Sequence, residues 1–280
     1  MSKISFNENI GSLEVPEIQL KKGLDYAQKN NIHSLRIMPS RPKVGILDIS
    51  VLEGDESIEA LDIHEDVAIK GLDLSCLYSM KKLKKLSIEY YGQLDFSKLK
   101  TLNTLFLGRI HCEIDSISIP SLRDLLLVST KNMDCMHISS LQNLETLRIS
   151  GGKIECMVGI ENLSRLKSVR ITHCPSLLDI SAIGQVASLS NLYIETCKKL
   201  SDFSILKNNK SIETLFISDL DSVNFVPSMK KIKSLKFWNL KDGDLSPLLN
   251  SKTLSDVYFY PQKRHYTHGK DDINALLKPA

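Results

Sequence analysis

A six-residue word, apolar-x-x-apolar-x-apolar, recurs eleven times along the chain, beginning at Ile32, Ile58, Leu83, Leu102, Leu122, Leu144, Leu166, Leu189, Ile212, Ile232 and Leu254. Those residues form a first apolar column. The second runs Leu35, Leu61, Leu86, Leu105, Leu125, Leu147, Val169, Leu192, Leu215, Leu235 and Val257, and the third Ile37, Ile63, Ile88, Leu107, Leu127, Ile149, Ile171, Ile194, Ile217, Phe237 and Phe259. Every one of these positions is apolar in a chain that is 42% apolar, which excludes chance. The fourth and sixth letters have the period of two that puts both side chains on one face of a strand. A unit this short cannot close its own core, so neighbouring copies must stack to bury their apolar columns. The spacing predicts parallel strands about 4.8 Å apart.

The segment that returns from one strand to the next has its own pattern. Asp-apolar-Ser occurs at Asp48-Ile49-Ser50, Asp73-Leu74-Ser75, Asp95-Phe96-Ser97, Asp179-Ile180-Ser181, Asp202-Phe203-Ser204 and Asp244-Leu245-Ser246. An apolar residue follows each Ser after two positions: Leu52, Leu77, Leu99, Ile183, Leu206 and Leu248. The expected role of the Ser is to cap the exposed amides of a short helix or 3-10 turn through its hydroxyl. The six Asp residues then belong to the scaffold.

The whole of residues 32–259 resembles the short, about 22-residue class of leucine-rich repeats seen in internalins and phosphatase-regulatory repeat proteins. Leu166–Ile183, LKSVRITHCPSLLDISAI, and Leu189–Leu206, LSNLYIETCKKLSDFSIL, carry that resemblance most clearly. It implies an α/β leucine-rich repeat solenoid: a curved parallel sheet on the concave side, with short helices or 3-10 turns and loops on the convex side. It implies binding and no particular chemistry. The pattern departs at the ninth position, usually Asn or Cys, which is Cys only at Cys174 and Cys197. Elsewhere it is Asp66, Tyr91, Ile110, Thr130, Gly152, Leu220 and Leu240, which predicts irregular turns in the first and middle thirds.

Stacks of this kind need both ends covered. Pro16 to Lys29 reads as an N-terminal helix, with Leu20, Leu24 and Ala27 on one face and Asn30-Asn31 ending it. Asp271 to Leu277 reads as a short C-terminal helix. The expected organisation is one domain, with a cap at 1–31, about eleven repeats at 32–259 and a capping tail at 260–280.

A net charge of +3 from 36 basic and 33 acidic residues is too balanced for a dedicated nucleic-acid or anionic-membrane binder. Residues 1–15 lack the apolar run of a signal peptide, and no stretch approaches 18 uninterrupted apolar residues, so a cytoplasmic chain is expected. The six cysteines form no CxxC or zinc framework. Cys76, Cys112, Cys135 and Cys156 fall in return segments and Cys174 and Cys197 at the turn position, and all six read as reduced, mostly buried small residues. No metal or cofactor is implied. His265 and His268 are three apart but have no matched carboxylate or cysteine pair, so a polar rim is the better reading than an enzyme site. The Lys runs at Lys81-Lys82, Lys84-Lys85 and Lys230-Lys231-Lys233 read as a solvated flank.

Function is sought at the fifth and seventh positions of each word, which point away from the core. They form three zones: a polar, acidic one at Asp62, His64 and Glu89; an apolar one at Phe106, Leu126 and Val128, followed by a basic step at Arg148 and Arg170; and an aromatic one at Tyr193, Phe216, Trp238, Tyr258 and Tyr260, with Lys236 among them. The aromatics have no duty in a core already filled by three columns, and exposed apolar patches of several hundred Å² are seldom left without a use. Trp, Tyr and Arg also dominate binding hot spots. Two readings of the arginines stand: Asp124 and Glu195 neutralise them locally, or a partner carboxylate completes the pair. The sequence therefore points to a non-catalytic module that grips another protein on its concave face. A bacterial immunity protein occluding a cognate toxin, or an adaptor, is the specific form. An exported host-directed effector or adhesion module is the alternative, and an enzyme built on His265 and His268 stands behind both.

Overall fold

The computed structural model describes residues 3–40 and 47–277. The chain forms two compact units, Met1–Lys131 and Asn132–Ala280. In the first, β1 (Ser5–Asn7) and β2 (Ser12–Pro16) precede α1 (Leu20–Lys29), followed by β3 (Ser34–Met38), β4 (Ala60–Ile63), β5 (Lys85–Tyr90), β6 (Thr104–Ile110) and β7 (Asp124–Thr130). The second holds β8 (Thr146–Gly152), β9 (Ser168–Thr172), β10 (Asn191–Glu195), β11 (Thr214–Leu220), β12 (Ser234–Leu240), β13 (Asp256–Phe259) and α2 (Lys270–Leu276). β1 pairs antiparallel with β2, and β2 to β7 run parallel in chain order. β8 to β13 do the same in the second unit.

The register aligns like with like. Leu35, Leu61, Leu86, Leu105 and Leu125 are successive partners in the first unit, and Leu147, Val169, Leu192, Leu215, Leu235 and Val257 in the second. The second and third columns are entirely buried, as is the first except for half-buried Ile32. A one-residue slip would turn two whole columns into water, so the apolar pattern itself sets the register.

Three expectations are corrected. The N-terminal segment holds strands as well as a helix: Ile10-Gly-Ser-Leu13-Glu-Val15 is a twelfth copy of the word, and Leu13 and Val15 pair with Leu35 and Ile37. Its first apolar residue lies in the β1–β2 turn and is exposed, which separates it from the other copies. α1 packs on this rung through Leu20, Gly23, Leu24 and Ala27, all buried.

The second correction concerns the return segments, where the cap is the Asp carboxylate and not the Ser hydroxyl. Asp48, Asp73, Asp95, Asp179, Asp202 and Asp244 each accept the backbone N–H two residues on, at 2.7–3.1 Å. Asp134 does the same for Met136 at 2.9 Å, in a segment without the Ser. A charged acceptor makes the stronger bond, and hydrogen bonds to the Ser that follows hold Asp48, Asp73, Asp95, Asp202 and Asp244 below the usual carboxylate range.

The third correction is at the ninth position. Ile110, Thr130, Cys174, Cys197, Leu220 and Leu240 are all buried there, so residues other than Asn or Cys fill this place as well. Strict alternation would point the eighth residue inward instead. Arg109, Ser129, Gly151, His173 and Thr196 break it by taking left-handed backbone, with φ between 44° and 70°. The expected irregularity does occur between Glu89 and Tyr90, where the register shifts.

On the flank, Lys84–Glu59, Lys167–Glu145 and Lys233–Glu213 each pair at 2.8 Å between second positions of neighbouring words. These are exposed pairs and add little stability.

At the C-terminal end Tyr266 is buried edge-on against Phe259 and Phe237, and its hydroxyl accepts the Leu240 N–H at 3.0 Å. Gly243 permits this loop, since at φ 68° a Cβ would lie 2.5 Å from the His265 carbonyl oxygen. Asn274 of α2 closes the free edge of β13. Its amide accepts the Val257 N–H and donates to the Val257 carbonyl, both at 2.8 Å, as a further strand would. Asn274→Ala should therefore cost roughly 1–3 kcal/mol in urea unfolding, through two part-buried backbone groups left unpaired.

His137 is 5% exposed, and neither ring nitrogen has a hydrogen-bond partner among the described residues. Burial pushes it down to about 4, against the opposing pull of Asp134. Above its ordinary value of about 6.5 both folded and unfolded states are neutral, so no stability is lost there. As pH falls from about 6.5 toward 4, the unfolded chain takes a proton that the folded chain refuses, and stability drops. Urea midpoints measured over that window should decline with falling pH in the wild type and flatten in His137→Leu.

Candidate partner-binding face

Residues at the fifth and seventh positions of each word emerge on the side of the strands away from the buried columns, because alternation leaves them no other. In the second unit, register places Arg148, Arg170, Tyr193, Phe216, Lys236 and Tyr258 side by side from β8 to β13. Three of them, Arg170, Tyr193 and Phe216, make a continuous row with Trp238. The Arg170 guanidinium lies 4.0 Å from the Tyr193 ring centre. Tyr193 stacks on Phe216 at 4.2 Å and 13°, and Phe216 meets Trp238 edge-on at 5.3 Å and 77°. Trp238, Tyr258 and Tyr260 are 44%, 49% and 71% exposed. Lys236 is exposed between Phe216 and Tyr258.

Glu195 fixes the row from below. Its carboxylate accepts the Tyr193 hydroxyl at 2.5 Å and lies 3.7 Å from Arg170. Burial and this bond raise the Tyr193 phenol, which stays a neutral donor. For Arg170 the local reading holds, since Glu195 and the Tyr193 ring already engage it. Arg148 is half-buried in register with Arg170.

The first unit carries the other two zones. Phe106, Leu126 and Val128 are half-buried on β6 and β7, and the Lys85 ammonium sits 5.1 Å from the Phe106 ring centre. In the acidic zone the Arg36 guanidinium forms an ion pair with Asp62 at 3.1 Å. Glu89 is buried: it accepts the Tyr91 hydroxyl at 2.8 Å, and Arg109 and His111 lie 3.6 Å away. Tyr91 and His111 stack at 4.0 Å. These polar groups largely neutralise one another.

The histidines of the tail serve the cap: His265 Nε2 lies 3.1 Å from the Leu240 carbonyl oxygen and His268 Nδ1 3.0 Å from the Thr267 hydroxyl. Among the described residues no group of three or more His, Cys, Asp or Glu could hold a metal ion, and no helix is long and apolar enough to cross a membrane. The six cysteines are free thiols, and burial pushes Cys76 up to about 11.

The positional reading missed Lys270, whose ammonium lies 5.2 Å from the Tyr258 ring centre. Nothing in the repeat spacing signals it, because it arrives from α2. Arg109, Tyr91 and His111 were legible only by following each word past its seventh letter.

No protein-family model matches the sequence, and no curated protein does either. Among solved structures, the chain is similar to an internalin (inlF) of Listeria monocytogenes, at 20% identity and TM-score 0.50, over 91% of this chain and 83% of that one. It is also similar to internalin C2 of the same organism, at 18% and 0.45, over 62% and 76%. A third is the leucine-rich repeat ectodomain of an Arabidopsis thaliana receptor kinase in complex with Casparian strip integrity factor 2, at 16% and 0.46, over 88% and 34%. The chain has the leucine-rich repeat fold, with strands on one side of the repeats and 3-10 turns on the other side of most of them.

If Tyr193 and Phe216 are coupled as their stacking implies, a double-mutant cycle with alanine at both should give about 0.5–1.5 kcal/mol of interaction energy. Strict additivity in urea unfolding would show the rings to be independent.

Proposed function

We propose that the protein is a non-catalytic binding module that engages a partner protein on the open face of its strands. Tyr193, Phe216, Trp238 and Tyr258 serve as anchors, and Arg170 orients them. The row of rings on β10 to β13 carries this reading. Side chains that large, outside a core already complete, form the rigid low-entropy surface that interfaces favour. Phe106, Leu126 and Val128 supply a smaller apolar patch of the same kind.

The specific form is a bacterial cytoplasmic protein that neutralises a cognate toxin or acts as an adaptor. Six reduced thiols fit a reducing compartment, and a broad, mixed surface suits occlusion of another protein better than turnover of a small molecule.

Affinity capture from the native cytosol, read by mass spectrometry, should recover a partner with the wild type. Trp238→Ala/Phe216→Ala should lose it while its melting temperature falls by no more than a few degrees. Undiminished capture by this variant would refute the reading. Co-expression with a toxin encoded by a neighbouring gene tests the specific form, and failure both to protect and to co-purify would remove it.

A further inference from the structure

The charges around the aromatic row narrow the partner's chemistry, on the basis of the protein-binding reading above. The carboxylates on the strands beside the row are Glu195 on β10, Asp219 on β11 and Asp256 on β13. Each is engaged, Glu195 by Tyr193 and Arg170, Asp219 by the Ser218 hydroxyl at 2.8 Å and the Asn239 amide at 3.4 Å, and Asp256 by the Ser234 hydroxyl at 2.8 Å. The cations differ. Lys236 is exposed between Phe216 and Tyr258, and no ion pair joins it among the described residues. Lys270 reaches the same place from α2, its ammonium lying over the Tyr258 ring, and no ion pair joins it among the described residues. Of its helix neighbours, Asp272 is held by the Gly269 N–H at 3.2 Å, and Asp271 lies about 100° further round the helix.

The rings add to this bias. Tyr193 and Phe216 cover each other's faces and Arg170 covers the outer face of Tyr193, so they meet a ligand mainly with their edges. Ring edges are electropositive. A surface of ring edges and unpaired ammonium groups is complementary to carboxylates set beside apolar side chains. It is poorly built for nucleic acid, which needs open ring faces on which successive bases can stack.

We propose that this face takes an extended acidic segment of a partner protein. An apolar or aromatic side chain of that segment lies against Trp238 and Tyr258, and adjacent carboxylates meet Lys236 and Lys270.

Trp238 is the only Trp in the chain, so its fluorescence reports on this place alone. Iodide should quench it more efficiently than caesium in the wild type, and Lys236→Glu/Lys270→Glu should abolish or reverse that preference. Equal quenching in the wild type would overturn the proposal. The second measurement is panning of random phage-displayed dodecapeptides on the full chain. Enriched peptides should pair Asp or Glu with Phe, Trp or Leu, shift Trp238 emission, and bind at least ten-fold more weakly to the charge-reversed variant. Lys236→Ala/Lys270→Ala should lose affinity in the same direction should the reversed variant fold poorly. Neutral or basic peptides that depend on Trp238 would overturn the acidic specificity and leave the protein-binding reading intact. Peptides indifferent to Trp238→Ala would overturn both. Absence of enrichment over Trp238→Ala, or tighter binding of oligo-dT than of any peptide, would also overturn the proposal.

Discussion

Burial of the apolar columns between neighbouring repeats is the interaction on which everything else rests. Each strand from β2 to β13 contributes two side chains that are at most 3% exposed, and the first letter of the word closes the layer from the return side. Because no repeat shields these groups alone, stability is shared between neighbours. Because the shared interior is full, side chains on the other side of the strands are released from folding duty. A Trp there that is 44% exposed cannot be explained as misplaced core.

A stack also creates a problem that a closed core does not have, since its last rungs end in open apolar layers and unpaired strand edges. The chain meets it with different devices in its two units. In the first, the β1–β2 hairpin adds a rung and α1 lies on it through Gly23, where a Cβ would collide with the Val15 side chain. In the second, Tyr266 and Ile273 cover the layer below β13, and the Asn274 amide stands in for a missing strand. α2 thereby acquires a second consequence: it carries Lys270 to the aromatic row.

What could be read from the sequence follows from what repetition makes visible. Register, burial of the columns and the identity of the outward-facing side chains were all legible, because each depends on period-two alternation repeated many times. Single-copy features were not. Ile10-x-x-Leu13-x-Val15 obeys the word but sits in a hairpin whose turn exposes Ile10, so the rung was hidden inside a presumed cap. The Asp-apolar-Ser pattern was visible, yet it misled about which side chain caps the turn. A Ser backbone N–H is indistinguishable in sequence from a Ser hydroxyl. The ring geometry of Tyr193 and Phe216, and the use of Arg170 by Glu195, depend on rotamers that spacing does not encode. His137 stands three residues after Asp134, as buried Cys76 and Ala182 stand after Asp73 and Asp179, but Ile205 at the same place after Asp202 is 41% exposed, so the position alone does not foretell burial.

The central claim is that the open face of β10 to β13, and not the return side, is the surface that meets a partner. The return side offers a fair contrast, since Met133, Met136 and Leu178 are each more than half exposed there. Hydroxyl-radical footprinting of the complex with its captured partner, read by mass spectrometry, compares the two directly. The account predicts that Trp238, Tyr258 and Tyr260 lose most of their labelling while Met133 and Met136 keep theirs. Protection of the two methionines with the three aromatics still fully labelled would contradict it.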